Sequence, residues 1–553
     1  MENARDISQP SDRIPGLILN DRRLAQEARA GFWPDRVLTD YFDALLKDRP
    51  GDTVLVTYRA DLGREIRLTY AELNSHVNNI AANLTRLGVQ EGDVVSYQLP
   101  NWWEFVALLL ACIRIGAISN PLMPIFRYRE LEFMVGRVGA KILITPAVFR
   151  NFDHAAMAGK LQSAFPALEQ VIIVDGQGAQ SFAGQLLAAP DTSRLALHAC
   201  LTPNQVLKVM YTSGTTGEPK GVMHTSNTLL ATVIQLAGRI GITGKDVMFV
   251  PTPFAHSFGF VYGIMMSIYL GIPLITLDVW DPAMAIALME RHEVTFSFGT
   301  PPFLSDLTYF PNVRQRRLDS LRLFLASGAP IPRALAREAQ RHLGLKVEVA
   351  FGMTELGIVS ATNPAEPDTG RDTDGYDLAS CETRIVDAER RELPAGCAGS
   401  LECRGSSTFV GYHRRPDLYA VDEAGWFDTG DLAKKDAAGS LQIVGRKKDI
   451  IIRGGENIPV VEVEKLIHEM PQVREAALVA MPDPRLGERV CAYVALHEGA
   501  LLTLAEIMEF LEGRGLARQY LPERLELVKD LPKTPSGKIR KYLLREQAAR
   551  LTV

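Results

Sequence analysis

Cysteine is scarce in this chain and carries no pattern. Six cysteines (Cys112, Cys200, Cys381, Cys397, Cys403 and Cys491) are spread over 553 residues with no Cys-x-x-Cys pair. That excludes a disulfide framework and a cysteine-type zinc site, and it implies a reducing compartment. An excess of basic charge is also missing. The formal net charge is -5 and the pI is about 6.1, so the chain is not built to hold nucleic acid or an anionic membrane surface. The opening Met1-Glu2-Asn3-Ala4-Arg5-Asp6 leads into no apolar segment, and Leu551-Thr552-Val553 is not a peroxisomal address. A cytoplasmic protein is expected. Long uncharged runs reduce to one, residues 257–277, and it contains Gly259, Gly263, Gly271 and Pro273. A buried helix, turn and strand is expected there rather than a membrane span.

A chain of this length exceeds what one hydrophobic core usually serves, so at least two domains are expected. The first 440 or so residues alternate strand-like and helix-like segments. Thr53-Val54-Leu55-Val56-Thr57-Tyr58 reads as a strand, and Thr69 with Glu72 three residues on reads as a capping box. Leu73, Val77, Ile80, Leu84 and Leu87 follow at helical spacing, with Gly88 at the stop. Val94-Val95-Ser96-Tyr97-Gln98, Lys141-Ile142-Leu143-Ile144-Thr145 and Val171-Ile172-Ile173-Val174 read as further strands, and Phe105 to Gly116 as a buried helix. This alternation predicts parallel sheets covered by helices. The pattern changes near Gly445-Arg446-Lys447-Lys448-Asp449. From Arg446 onward the chain holds 18 Lys+Arg against 16 Asp+Glu, a mildly basic unit behind a mildly acidic body. The expected division is 1–445 and 446–553.

What the chain has in strength is a loop. Tyr211-Thr212-Ser213-Gly214-Thr215-Thr216-Gly217-Glu218-Pro219-Lys220-Gly221 follows directly on the apolar stretch Val206-Leu207-Lys208-Val209-Met210. Glycine lets backbone approach a ligand closely. Successive N–H groups, hydroxyl donors and one ammonium are what a polyphosphate needs from a protein. It is not a Walker A loop, because Lys220 is followed by Gly221 and not by Ser or Thr.

Six further segments occur downstream. They are Pro253-Phe254-Ala255-His256-Ser257-Phe258-Gly259, Ala326-Ser327-Gly328-Ala329-Pro330, Ala350-Phe351-Gly352-Met353-Thr354-Glu355, Gly425-Trp426-Phe427-Asp428-Thr429-Gly430-Asp431, Gly445-Arg446-Lys447-Lys448-Asp449 and Pro532-Lys533-Thr534-Pro535-Ser536-Gly537-Lys538. Together with the loop, and in this order over nearly the whole chain, they resemble the adenylate-forming superfamily: acyl- and aryl-CoA ligases, beetle luciferases and adenylation domains of peptide synthetases. The resemblance implies a large α/β domain of parallel and mixed sheets with a small barrel-like part, followed by a small mobile α+β domain. It also implies ATP, Mg²⁺ and coenzyme A.

The chemistry agrees with the residue types. A carboxylate is a poor electrophile, and transfer to AMP supplies a leaving group, so two anions must be brought together by cations and oriented donors. Lys220, Thr212, Ser213, Gly214, Thr215, Thr216 and Gly217 suit the β- and γ-phosphates, Glu355 with Thr215 suits Mg²⁺, and Thr354 suits the α-phosphate. Asp431 suits the ribose diol with help from Arg446. The resemblance implies that Gly328, Ala329, Pro330, Ala350, Phe351, Gly352, Met353 and Ile443 frame the adenine. It places the catalytic lysine at Lys538, a gate beside the acyl carboxylate at His256, and a hinge at Lys448. Asp449 to Ile458 resembles the CoA-ligase form of the post-hinge loop, where Arg453, Gly454 and Gly455 would flank the pantetheine arm, and this argues against luciferase. Only 15 residues follow Lys538, so free CoA is the expected acceptor rather than a carrier domain.

The expected acyl site comprises His256, Ser257, Phe258, Phe298, Gly299, Ser327 and Gly328. It contains no fixed Arg or Lys to pair a second carboxylate and no Asp for an amino group, which favours a monocarboxylic acid with a hydrocarbon body. At whole-chain level the resemblance is to bacterial medium-chain acyl-CoA and cyclohexanecarboxylate-CoA ligases. Cyclohexanecarboxylate is the named expectation; benzoate-type and short-chain acids stay open, as does, more remotely, a non-catalytic sensor. The Pro532–Lys541 segment also resembles sites of acetylation on the family's catalytic lysine, so a lysine acetyltransferase and deacetylase acting on Lys538 are candidate partners. A homodimer is left open.

Overall fold

The computed structural model describes residues 14–189, 201–212, 218–329, 331–366, 373–453, 456–534 and 537–551. Two large sheets share one core. The first runs Lys220–Thr225, Val206–Thr212, Ile118–Pro121, Val94–Tyr97, Ile142–Pro146, Gln170–Val174 and is parallel except at its first pair. The second has nine strands, with a parallel centre through Leu274–Leu277, Met248–Val250, Phe296–Gly299, Leu323–Ser327 and Lys346–Met353, and antiparallel pairs at both ends. Helix Trp103–Ile115 is buried on every side but Arg114, because residues of both sheets pack into the cluster that holds it. An all-round apolar helix is what such a shared interior requires.

Local signals in the sequence explain the element boundaries. The Thr69 hydroxyl accepts from the Glu72 N–H while Glu72 reaches back, and the helix Tyr70–Arg86 starts there. Residues 257–277 form a wide helical turn Phe258–Met265, a helix Met266–Leu270 and a strand Leu274–Leu277, all inside the body. Among the described residues no helix is long and apolar enough to cross a membrane.

The chain then leaves the parallel layers. Cys381–Val386, Gly399–Gly405, Phe427–Lys435 and Leu441–Arg446 form an antiparallel meander, the small barrel-like part. After the turn Lys447–Asp449 the chain builds another sheet around the long pair Val473–Asp483 and Gly487–Leu496, with helices Val460–Ile467, Leu504–Gly513 and Lys541–Ala548 and its own two cores.

One buried amide ties the layers where it matters. Asn101, just before the central helix, donates through Nδ2 to the Thr252 carbonyl (3.1 Å) and to Thr276 Oγ1 (3.0 Å), and its Oδ1 accepts from the Phe254 N–H (2.7 Å). The segment leading to His256 is thereby fixed to both sheets. Asn101→Ala leaves three buried partners without their bonds and is expected to destabilise the body by about 1–3 kcal/mol. Denaturant unfolding of the variant checks this, and adenylation should weaken with it.

Candidate active site

The parallel strands of the nine-stranded sheet end on one side, and residues of the segments that follow them (Ala255, His256, Thr300, Gly328, Thr354) line a cavity of about 2140 Å³. Ligand sites in open α/β sheets lie at these carboxyl ends. The meander supplies Asp431, Ile443 and Arg446 to a second wall, and the C-terminal unit closes it with Lys538.

Two carboxylates in this wall are buried. Glu355 is 7% exposed, Asp431 2%. The Tyr412 hydroxyl donates to Glu355 Oε1 at 2.9 Å, and the same ring lies beneath the Lys220 ammonium, 5.0 Å from its centroid. Burial raises the Glu355 carboxyl above its usual range, against the pull of the Tyr412 bond, Lys220 and Arg446. Asp431 Oδ1 accepts from Arg446 Nε at 2.7 Å, while its Oδ2 is buried with no partner among the described residues. Burial again raises this carboxyl, partly offset by Arg446 and Lys538. A buried carboxylate oxygen without a donor is a place for a ligand hydroxyl.

Thr354 is held from behind. The imidazole of His224, wholly buried, donates Nε2–H to the Thr354 carbonyl at 2.7 Å and takes a bond from the Thr228 hydroxyl at 3.0 Å. His256 Nδ1 accepts from the Phe258 N–H (3.3 Å), which leaves its Nε2–H as the donor. Burial, then Lys538 and Lys208, push this imidazole down to about 3, so it is neutral at working pH.

Lys538 is accessible from the cavity yet enclosed by protein. Burial and Arg446 draw its ammonium down to about 8, against Asp431, Glu355 and Asp449, whose charges favour the protonated form. The loop is pressed onto the body. A Cβ on Gly537, at φ +81°, would stand 2.7 Å from Thr300 Oγ1, and Tyr309 of the body meets His497 of the C-terminal unit edge to face at 5.9 Å.

The structure brings Thr212, Lys220, His256, Ser257, Phe258, Gly328, Ala329, Ala350, Phe351, Gly352, Met353, Thr354, Glu355, Asp431, Ile443, Arg446 and Lys538 onto one cavity. It does not place Phe298, Gly299 and Ser327 there. All three are buried, and the Phe258 ring, which lines the cavity, meets Phe298 edge-on at 4.9 Å. For Phe298 an intervening aromatic ring separates the side chain from the cavity. Arg453 points elsewhere too, pairing with Glu523 at 2.8 Å. Ser213, Gly214, Thr215, Thr216, Gly217, Pro330, Gly454 and Gly455 lie outside the described residues, and of Lys448 only the backbone turn is described. Sequence reasoning missed Tyr412 and His224, which carry no motif. It also missed Lys208, although a lone lysine inside an apolar strand was visible.

Comparison with known proteins bears on this geometry. The profile of AMP-binding enzymes matches residues 42–413, and that of the AMP-binding enzyme C-terminal domain matches 462–538. The chain belongs to the AMP-binding enzyme family. It is an AMP-forming acid–thiol ligase of the acyl-CoA synthetase type. Among its relatives is the medium-chain fatty-acid–CoA ligase of Escherichia coli K12, 36% identical over 97% of this chain and 94% of the relative. The 2-hydroxy-7-methoxy-5-methyl-1-naphthoate–CoA ligase of Streptomyces carzinostaticus is 32% identical over 96% of each. Among solved structures, ATP-bound MatB from Rhodopseudomonas palustris aligns with TM-score 0.82 and 29% identity, covering 93% of this chain and 99% of that one.

In this ligase Gly328 lines the cavity beside Phe258. Its φ is +88° and a Cβ would lie 2.7 Å from the Phe258 ring. Gly328→Ala is expected to cost about 1–2 kcal/mol from the left-handed backbone alone and to push Phe258 into the cavity. Thermal melting and the KM for the acid, both raised in cost relative to the KM for ATP, check it.

Proposed function

We propose that this ligase activates a monocarboxylic acid with a hydrocarbon body, cyclohexanecarboxylate or a related alicyclic or medium-chain acid first, and transfers it to CoA. The observation that carries this reading is the wall beside His256. Met210, Ala255, Phe258 and Gly328 present apolar surface, while the cations and carboxylates gather on the nucleotide side. An aryl acid is the second reading, favoured by the relative that acts on a naphthoate. One ring differs from another by little volume, and discrimination of that size is worth about 1–3 kcal/mol.

The residues divide the work. Lys220 and Thr212 receive the β- and γ-phosphates with the loop between them. Asp431 Oδ2, without a donor in this structure, accepts from a ribose hydroxyl, and Arg446 holds Oδ1 so that the carboxylate stays oriented. Ile443 and the Gly328–Ala329 and Ala350–Met353 segments frame the base. Among the described residues no three His, Cys, Asp or Glu side chains group as a self-sufficient metal site. That fits Mg²⁺, which keeps waters and takes phosphate oxygens alongside one carboxylate, here Glu355. Bound there, Mg²⁺ neutralises phosphate charge. Thr354, pinned by His224, donates to the α-phosphate.

Lys538 bridges the acid carboxylate and the α-phosphate oxygens. Its ammonium offsets the repulsion of the two anions as the carboxylate oxygen attacks phosphorus and pyrophosphate leaves. Neutral His256 offers Nε2–H beside the acid without adding a charge that would hold the carboxylate back. This reading assigns the pose with Lys538 in the cavity to the first half-reaction. For the second, residues 446–553 turn about Lys448, Lys538 withdraws, and the segment carrying Arg453, Gly454 and Gly455 comes to the thiol. Acetylation of Lys538 would remove its charge and block only the first step.

AMP release with ATP, Mg²⁺, CoA and a panel of cyclohexanecarboxylate, hexanoate, octanoate, benzoate, acetate and amino acids tests the substrate. Turnover led by acetate or an amino acid would sink the reading. Lys538→Ala is expected to abolish acyl-adenylate formation while thioester formation from supplied acyl-adenylate survives, as followed by pyrophosphate and acyl-CoA release. Because the active form is protonated, kcat/KM for adenylation should fall as pH rises through about 8. Lys538→Arg should remove that limb. Asp431→Asn should weaken ATP binding about 10- to 100-fold, the value of hydrogen bonds to a charged group, with calorimetric titration as the readout.

A further inference from the structure

One buried charge in the body is used by none of these steps. Lys208 sits in the middle of strand Val206–Thr212, wholly buried, and among the described residues its ammonium has no hydrogen-bond partner. The nearest compensation is the Phe260 ring, 4.9 Å away. Across the ladder it faces His224, but both nitrogens of that imidazole are committed to Thr354 and Thr228. An unpaired ammonium in an apolar interior is costly, and buried polar groups of this kind are normally met by a partner. Burial accordingly draws Lys208 down to about 7.

Its position says where a partner would come from. Strand side chains alternate, so Lys208 shares a face with Met210 two residues on, and Met210 lines the cavity. Met210 is itself held at the cavity wall, where the Ser257 hydroxyl donates to its Sδ at 3.2 Å. Thioether side chains re-pack easily. Phe260, which carries the ammonium on its ring, lies one turn past His256 and donates its N–H to the His256 carbonyl (2.9 Å). The charge of Lys208 is felt at His256 itself. Lys208 therefore stands directly behind the wall against which the acyl group is to rest.

We propose that Lys208 is the far end of the acyl site, where it donates to a hydroxyl or keto oxygen carried by the acyl group away from its reacting carboxyl. The inference rests on the ligase reading above and deepens it: among alicyclic and medium-chain monocarboxylic acids, those that carry an oxygen on the hydrocarbon body are favoured. It also revises the expectation that the acyl region holds no lysine. The motif-based view looked for a cation among exposed site residues, whereas this one is hidden in a core strand.

Matched acids test it: hexanoate against 6-hydroxyhexanoate, cyclohexanecarboxylate against its 3- and 4-oxo derivatives, benzoate against 3- and 4-hydroxybenzoate. The wild-type ligase is expected to favour at least one oxygenated member over its plain partner by tenfold or more in kcat/KM, since a site built to hydrogen-bond a substrate rejects the analogue lacking the group. Lys208→Met should erase that preference. Lys208→Gln, which keeps a donor, should retain part of it. A wild-type preference for the plain acid in every pair, or a preference that survives in Lys208→Met, overturns the proposal. The wild-type comparison decides even if a variant does not fold. Absence of turnover with every acid, plain or oxygenated, instead removes the substrate reading on which the inference stands.

Discussion

Charge held out of water at a cavity wall is the constraint around which the body is organised. Glu355 and Asp431 are buried carboxylates raised by desolvation, and each is kept by a specific partner, Tyr412 and Arg446. Lys538 reaches the same cavity from a loop of the C-terminal unit, where burial and Arg446 draw its ammonium down while the charges of Asp431 and Glu355 favour its protonated form. In water such charges would interact weakly. In an enclosed cavity they act strongly, and they are aimed before any substrate arrives. Losing the dock of Gly537 on Thr300 would return Lys538 to solvent and leave the two carboxylates with Arg446 and Lys220 alone.

The supporting layer is made of neutral donors. Asn101 ties the His256 segment to both sheets, His224 holds the Thr354 carbonyl, and Tyr412 serves Glu355 with its hydroxyl and Lys220 with its ring. Each is buried, so loss of any one strands a partner rather than exposing it to water. This explains how a site assembled from strand ends of two sheets, a meander and a separate C-terminal unit keeps its geometry. The wall of the acid side is softer, with Met210 and Phe258 as its movable parts.

Much of the fold was legible from neighbours in the chain. The Thr69–Glu72 capping box, the strands at 53–59, 94–97, 142–146 and 170–174 and the buried helix after Trp102 follow from spacing and propensity alone. The uncharged run 257–277 was separated from a membrane span by its glycines and proline. Of the site, the residues with local motifs were legible: Lys220, His256, Glu355, Asp431, Arg446 and Lys538. Tyr412, His224 and Asn101 were not, because nothing next to them in the chain announces what they touch. Phe298, Gly299 and Ser327 are buried off the cavity, Phe298 behind the Phe258 ring.

The sequence by itself determined the class of chemistry, since a glycine- and hydroxyl-rich loop ending in lysine, a buried-type carboxylate motif and a late lysine are short-range patterns whose meaning survives without coordinates. It also determined the alternation that makes parallel layers. Only the tertiary structure decided which of these groups share one cavity, that Lys538 is inside it, and that Lys208 is an ammonium without a partner. The reason is physical. Propensity and loop chemistry depend on adjacent residues, whereas burial, pairing and the resulting shifts in protonation depend on atoms hundreds of residues apart.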